Sequence, residues 1–212
     1  MATFAGLFVT SFIVAFSGAL MPGPLLTATI SLSSRHGPKA GPLLMVGHGL
    51  LEITLIALLF LGLAPFLTDP KITAIVSLVG GVILIWLACG MLRSLPSLSL
   101  AAASASKKEN ANSRLITSGI LVSLSNPYWT IWWATIGLAY ILQARNAGYI
   151  GVAVFFAGHI LADFIWYALV SFTVGKSRKF FSPKVYKIVV GVCAGFLVAF
   201  AGIFLVHGVK GF

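Results

Sequence analysis

The sequence predicts an all-α membrane protein: six transmembrane helices forming two inverted three-helix repeats, with helices 1 and 4 broken at Pro-Gly-Pro and Asn-Pro. Three observations carry that expectation. Hydrophobic residues make up 59% of the 212 and charged residues only 8%, with a mean hydropathy of +1.04, far outside the composition of soluble domains. Six apolar segments follow one another, each exceeding the about 20 helical residues that cross a hydrocarbon core. A His-carboxylate motif occurs twice, 111 residues apart, as GHGLLE and GHILAD.

The segments run from Phe4 to Leu32, Gly41 to Ala64, Ile72 to Leu92, Leu115 to Leu142, Gly148 to Val174 and Val185 to His207. The opening MATFAGLFVTSFIVAF has no Lys or Arg ahead of its apolar stretch, and equally apolar segments follow, so it reads as a permanent span rather than a secretory signal. Span 1 contains Pro22, Gly23 and Pro24, and span 4 contains Asn126 and Pro127. Proline lacks a backbone donor and clashes with the preceding turn, so both helices should break there and free backbone amides and carbonyls. Irregular backbone at membrane depth is tolerated only inside protein or beside a cavity. The stretch SLPSLSLAAASASKKENANS reads as a flexible cytoplasmic linker over residues 94–113, between a first repeat, 1–93, and a second, 114–212. Arg35 and Gly41 match Arg145 and Gly151 across that division, KITAIV and KVYKIV open spans 3 and 6, and Gly90 and Gly202 lie near their ends. Three spans is an odd number, so the second half must insert upside down, the arrangement that many secondary transporters use.

The net charge of +10 records topology, not nucleic-acid binding. The loops after spans 1, 3 and 5 hold eleven basic residues: Arg35, Lys39, Arg93, Lys107, Lys108, Arg114, Lys176, Arg178, Lys179, Lys184 and Lys187. The other side holds three, Lys71, Arg145 and Lys210. This bias places those loops in the cytoplasm and both termini outside. Cys89 and Cys193 lie inside apolar segments without CxxC spacing, so they read as packing residues. GPKAG lacks the spacing of a phosphate-binding loop, and no nucleophile with a base is visible, so neither an enzyme, an ATP-driven pump nor a cofactor is expected.

Candidate functional residues are the ionisable groups inside spans. A spacing of four puts His48 over Glu52 and His159 over Asp163 on single helical faces. A carboxylate at the centre of a span costs about 2.5 to 3.5 kcal/mol on insertion scales, so both should face the bundle interior with the imidazoles as partners. Three roles fit: a hydrogen bond that locks packing, proton coupling or recognition of a substrate amine, or ligation of an exported divalent metal ion. Glu52 and Asp163 are two of only four acids, and the other two, Asp69 and Glu109, fall in loops. Freed amides at a half-helix start suit a substrate carboxylate, and Asn126 adds a donor and an acceptor. Tyr128 and Trp129 adjoin the second break and are expected at the site, where aromatic faces attract cations. Trp132, Trp133, Trp166 and Tyr167 read by default as interfacial or lipid-facing anchors, and Trp86 as packing.

These motifs together resemble the lysine exporter (LysE/RhtB) superfamily of small prokaryotic amino-acid efflux proteins. The resemblance rests on PGPLLTATI in span 1, RHGPKAGPLLMVGHGLLE after it, VGGVILIWLACGMLRS in span 3 and SNPYWTIWWATIG in span 4, and it covers almost the whole chain. It implies proton-motive-force-driven export of basic or neutral amino acids or related small metabolites across the cytoplasmic (inner) membrane. By position, Pro22, Gly23, Pro24, Asn126 and Pro127 would form the crossing point of the broken helices. Many members carry Asn-Pro-Lys where this chain has NPYW. Wider relatives move metal ions or pass electrons through cysteines beside the span-1 prolines, and Gly23 between the prolines disfavours the redox version. One protomer can in principle contain the whole route, and homodimerisation is plausible. A divalent metal-ion exporter and a non-transporting membrane scaffold are the alternatives.

Overall fold

A computed structural model describes residues 3–63, 69–94, 111–176 and 183–211, and every element among them is helical. In chain order these are α1 (Phe4–Ala19), α2 (Pro24–His36), α3 (Ala40–Leu58), α4 (Pro70–Ser94), α5 (Ala111–Leu124), α6 (Pro127–Trp132), α7 (Leu138–Arg145), α8 (Gly148–Lys176) and α9 (Pro183–Lys210). Helix α3 runs into a π-helical turn, Leu59–Leu63, and a second one, Trp133–Gly137, joins α6 to α7. Ala40–Gly62, Pro70–Gly90 and Gly148–Lys176 are each long and apolar enough to cross a membrane, and α1 with α2 passes the same test as one bent pair. Leu61, Trp86 and Val209 point outward with exposures of 82%, 73% and 68%, an apolar surface suited to lipid and not to water. The chain is a multi-pass membrane protein.

Local chemistry sets the boundaries. Thr3 accepts from Gly6 N–H and starts α1. α1 stops at Ala19, and α2 restarts at Pro24 at an angle of 79° to it, because Pro22 and Pro24 cannot continue the helical ladder. Proline suits the first helical position, where its missing donor would be unpaired anyway. The cap of α2 is Gly23, with no side chain over the first-turn amides. Gly37 ends α2 at φ 79°, a left-handed conformation that a Cβ would strain. Asp69 is spent on structure, since its Oδ1 accepts from the amides of Lys71 and Ile72 at 2.8 and 3.0 Å and starts α4. Asn126 caps α6 with Oδ1 on Tyr128 N–H at 3.1 Å. Helix α5 starts at Ala111, so the end of the expected linker is helical, whereas residues 95–110 lie outside the described residues.

Two close crossings position the centre of the bundle. Helix α3 packs on α5, where Gly47 sits against the Ile116 carbonyl and Gly119 against the Leu44 carbonyl so tightly that neither site admits a Cβ. Helix α8 packs on α1, where Gly158 lies against Ser11 and the Phe8 carbonyl. Helices α4 and α9 pack chiefly on each other, Gly81 receiving Leu205 and Gly208 receiving Leu78, and close the remaining side through Leu84, Leu197 and Phe204.

Candidate functional site

The four ionisable residues of spans 2 and 5 meet at the centre. His48, Glu52, His159 and Asp163 have exposures of 5%, 1%, 4% and 4%. Each imidazole faces both carboxylates through Nε2. His48 Nε2 lies 3.0 Å from Glu52 Oε1 and 3.6 Å from Asp163 Oδ2, and His159 Nε2 lies 3.2 and 3.4 Å from the same atoms. The i,i+4 pairing read from the sequence is therefore half of the arrangement. The other half is the cross-pairing of α3 with α8, which spacing within one helix does not contain.

Glu52 is the hub. Its Oε1 also receives the indole N–H of Trp133 at 2.9 Å and of Trp129 at 3.2 Å, while Oε2, buried, has no hydrogen-bond partner among the described residues. Trp129 and Trp133 are four apart on one face of α6 and the π turn that follows. Gly137 leaves room for the Trp133 ring, since a Cβ there would come within 2.5 Å of it and 3.0 Å of the Trp132 ring. The indole N–H of Trp132 donates to Ser17 Oγ at 3.1 Å and Tyr128 O–H to the Ser17 carbonyl at 3.0 Å, so this aromatic run also holds the last turn of α1. π turns of this kind recur at functional sites because the extra residue re-aims the side chains around it.

A cavity of about 50 Å³ reaches this cluster. Pro22, Gly23, Pro24, Asn126, Tyr128 and Trp129 line it together with His48, Glu52, His159 and Asp163. The two breaks face each other across it: a Cβ on Gly23 would lie 3.9 Å from Asn126 Nδ2. Of Pro127, the first residue of α6, the side chain lies outside the described residues. Leu84, Leu197, Phe200 and Phe204 complete its apolar lining.

Several aromatic residues are placed differently from expectation. Trp132 and Trp133, expected as anchors at the membrane surface, are buried at 5% and 0% exposure because Ser17 and Glu52 satisfy their N–H groups inside. Tyr167, also expected as an anchor, is 3% exposed and lines the cavity one helical turn beyond Asp163. Trp86, expected in packing, is 73% exposed on the apolar outer face of α4. Ser123 was not singled out by the sequence, yet its Oγ lies 2.7 Å from His48 Nδ1. The sequence marks it only by its position three residues before Asn126.

A buried cluster of ionisable groups beside broken helices, inside a bundle with an apolar exterior, defines a membrane transporter. A profile of the LysE type translocator family matches residues 16–208, about nine-tenths of the chain. The chain belongs to that family, and as a member it is a membrane exporter of small molecules; the family is one of transporters, not enzymes. Comparison with curated proteins and with solved structures gives no match.

Proposed function

We propose that the protein is a secondary active exporter of amino acids or related small metabolites across the prokaryotic cytoplasmic membrane, driven by the proton motive force. The observation that carries this reading is the convergence of both helix breaks and both His-carboxylate pairs on one buried cavity. Six spans, α1 with α2, α3, α4, α5 to α7, α8 and α9, would form two inverted repeats around a midplane site. The matched glycine crossings support that arrangement: Gly47 and Gly158 each precede a histidine of the cluster and each meet the first span of the opposite half. The excess of basic residues in three of the loops favours termini outside.

Each end of an amino acid finds complementary chemistry. The start of α2, capped only by Gly23, offers backbone amides and the positive end of a helix dipole to a carboxylate. The unpartnered Glu52 Oε2, with Asp163 across from it, suits an ammonium group. Tyr128, Trp129 and Phe200 form an aromatic wall that accepts an apolar side chain or faces a cation. His48, Glu52, His159 and Asp163 together hold a proton that is exchanged as the site changes access, and its affinity is a property of the whole cluster. Opening the cavity alternately to either side then exports one substrate against entry of protons.

A divalent metal ion as cargo is the nearest rival, because His48, Glu52 and Asp163 bring donor atoms within 4.8 Å of one another. Their surroundings favour protons. Four nitrogens already surround Glu52 Oε1, two of them indole N–H groups that only donate, which is the environment of a hydrogen-bonded carboxylate. The test is counterflow in proteoliposomes preloaded with mixed amino acids, comparing wild type with Glu52→Gln and Asp163→Asn at several pH values. Exchange that loses its pH response in the variants supports the reading. Absence of any amino-acid exchange by folded, reconstituted protein overturns it, and metal-dependent exchange lost on replacing His48 or His159 would favour the rival.

A further inference from the structure

The hydrogen bonding divides the two histidines of the cluster. His48 Nδ1 is held 2.7 Å from the buried hydroxyl of Ser123. His159 Nδ1 is buried with no hydrogen-bond partner among the described residues. Its ring is held by stacking instead, with Trp132 at 4.8 Å and 33° on one side and Phe155 at 6.0 Å and 21°.

Helix packing gives the reason. Gly47, next to His48, meets the Ile116 carbonyl and the Ile120 amide of α5. Gly158, next to His159, meets the Phe8 carbonyl and the Phe12 amide of α1. Ile116 thus corresponds to Phe8 and Ile120 to Phe12, and one turn further Ser123 corresponds to Ala15, which is fully buried. Helix α1 carries a methyl at the position where α5 carries the hydroxyl.

That difference decides which ring can hold an extra proton. A hydroxyl donates to a neutral Nδ1 and accepts from a protonated one, so Ser123 satisfies His48 in both states. A second proton on His159 would leave a buried, charged N–H without an acceptor, a loss of about tenfold or more in proton affinity. Trp132 and Phe155 offer an imidazolium a cation–π attraction at the faces of the ring, but they give the in-plane Nδ1–H no acceptor. The other titratable side chains on the cavity wall are Glu52 from α3, Tyr128 from α6, and Asp163 and Tyr167 from α8; α2, α4 and α9 contribute none among its described lining residues.

We propose that His48 is the histidine that takes up and releases the proton, with Ser123 as its positioning residue, and that His159 stays neutral and donates from Nε2 to the two carboxylates. When the imidazolium gives its Nε2 proton to Glu52 Oε1, 3.0 Å away, or to Asp163 Oδ2, 3.6 Å away, His48 is left as the Nδ1–H tautomer, which donates to Ser123 Oγ, and the proton returns along the same bonds. The purpose of this exchange rests on the transport reading, but its chemistry does not.

The test is ¹⁵N side-chain spectroscopy of histidine-labelled full-length protein in lipid nanodiscs from about pH 4 to about pH 11. His36→Gln and His207→Gln remove the two other histidine signals. One of the remaining rings should pass to the imidazolium pattern while the other keeps a neutral Nε2–H pattern throughout. Ser123→Ala should lower the proton affinity of the titrating ring by about tenfold, and Ala15→Ser should make the second ring titrate. Two rings that behave alike, whether both titrate or neither does, overturn the assignment, as does a titrating ring indifferent to Ser123→Ala. Counterflow on the same preparation separates the two ideas: absent exchange with inequivalent histidines sinks the transport reading and leaves this one standing.

Discussion

Replacing Glu52 with glutamine separates charge from shape. Oε1 is approached by His48 Nε2 at 3.0 Å, His159 Nε2 at 3.2 Å, Trp129 Nε1 at 3.2 Å and Trp133 Nε1 at 2.9 Å, whereas Oε2 has no partner among the described residues. A glutamine can place its carbonyl at the crowded position and its amide at the bare one, so no donor is forced against a donor and the fold is kept. The negative charge is what disappears. Unit charges about 4 Å apart attract by about 4 kcal/mol at an effective dielectric of about 20, and both imidazoles lie closer than that. At about 1.4 kcal/mol per decade, the variant binds a proton on His48 about a thousandfold more weakly. Exchange at neutral pH should fall at least about a hundredfold, and part of it should return when the pH is lowered by about three units. Counterflow across a pH series reads this directly, with a melting temperature within a few degrees of wild type as the control for folding. Wild-type exchange with a wild-type pH response from folded Glu52→Gln protein would mean that the carboxylate does not couple protons to transport.

Three further outcomes test the geometry. Gly47→Ala forces a Cβ onto the Ile116 carbonyl and should cost about 1 to 3 kcal/mol in denaturant unfolding in micelles, whereas Gly202→Ala, with nothing within 4 Å, should stay within about 0.5 kcal/mol. Trp133→Phe removes the 2.9 Å donor to Glu52 and should destabilise by about 1.5 to 3 kcal/mol, while Trp86→Phe on the outer face should leave stability unchanged; equal effects would refute the buried placement of Trp133. Ser171→Ala strips the hydroxyl that accepts from Gly41 N–H at 2.9 Å and donates to the Pro38 carbonyl at 2.8 Å, and the Gly41 amide left behind should cost about 1 to 3 kcal/mol in the same assay.

The elements that announce themselves in one dimension were legible. Hydropathy marked the apolar helices, and Pro22 and Pro24 marked the boundary between α1 and α2, because a missing backbone donor acts on its own turn. The four central residues stood out because ionisable groups are rare inside spans. What escaped depends on contacts between helices far apart in sequence. Ser123 meets His48 across 75 residues and Trp133 meets Glu52 across 81, distances at which no periodicity operates. The aromatic residues were misplaced for a related reason. A tryptophan reads as a surface anchor until the partner of its N–H is known, and the partners here are Glu52 and Ser17, contributed by other helices.

Burying two carboxylates at membrane depth costs about 2.5 to 3.5 kcal/mol each, and the way that cost is met constrains the mechanism. Glu52, from the first half of the chain, receives its donors largely from the second: His159, Trp129 and Trp133. Asp163, from the second half, faces His48 of the first. Trp132 and Tyr128 fasten the last turn of α1 through Ser17. The polar interactions between residues from the two halves of the chain therefore include the groups to which the proposed function gives substrate and proton. A movement that opens the cavity by separating the halves must strip donors from Glu52, and an unpaired buried carboxylate is tolerated only once a proton or a substrate ammonium replaces them. On the proposed reading, coupling follows from that requirement: the empty, unprotonated cluster stays closed because opening it would leave its charge without partners.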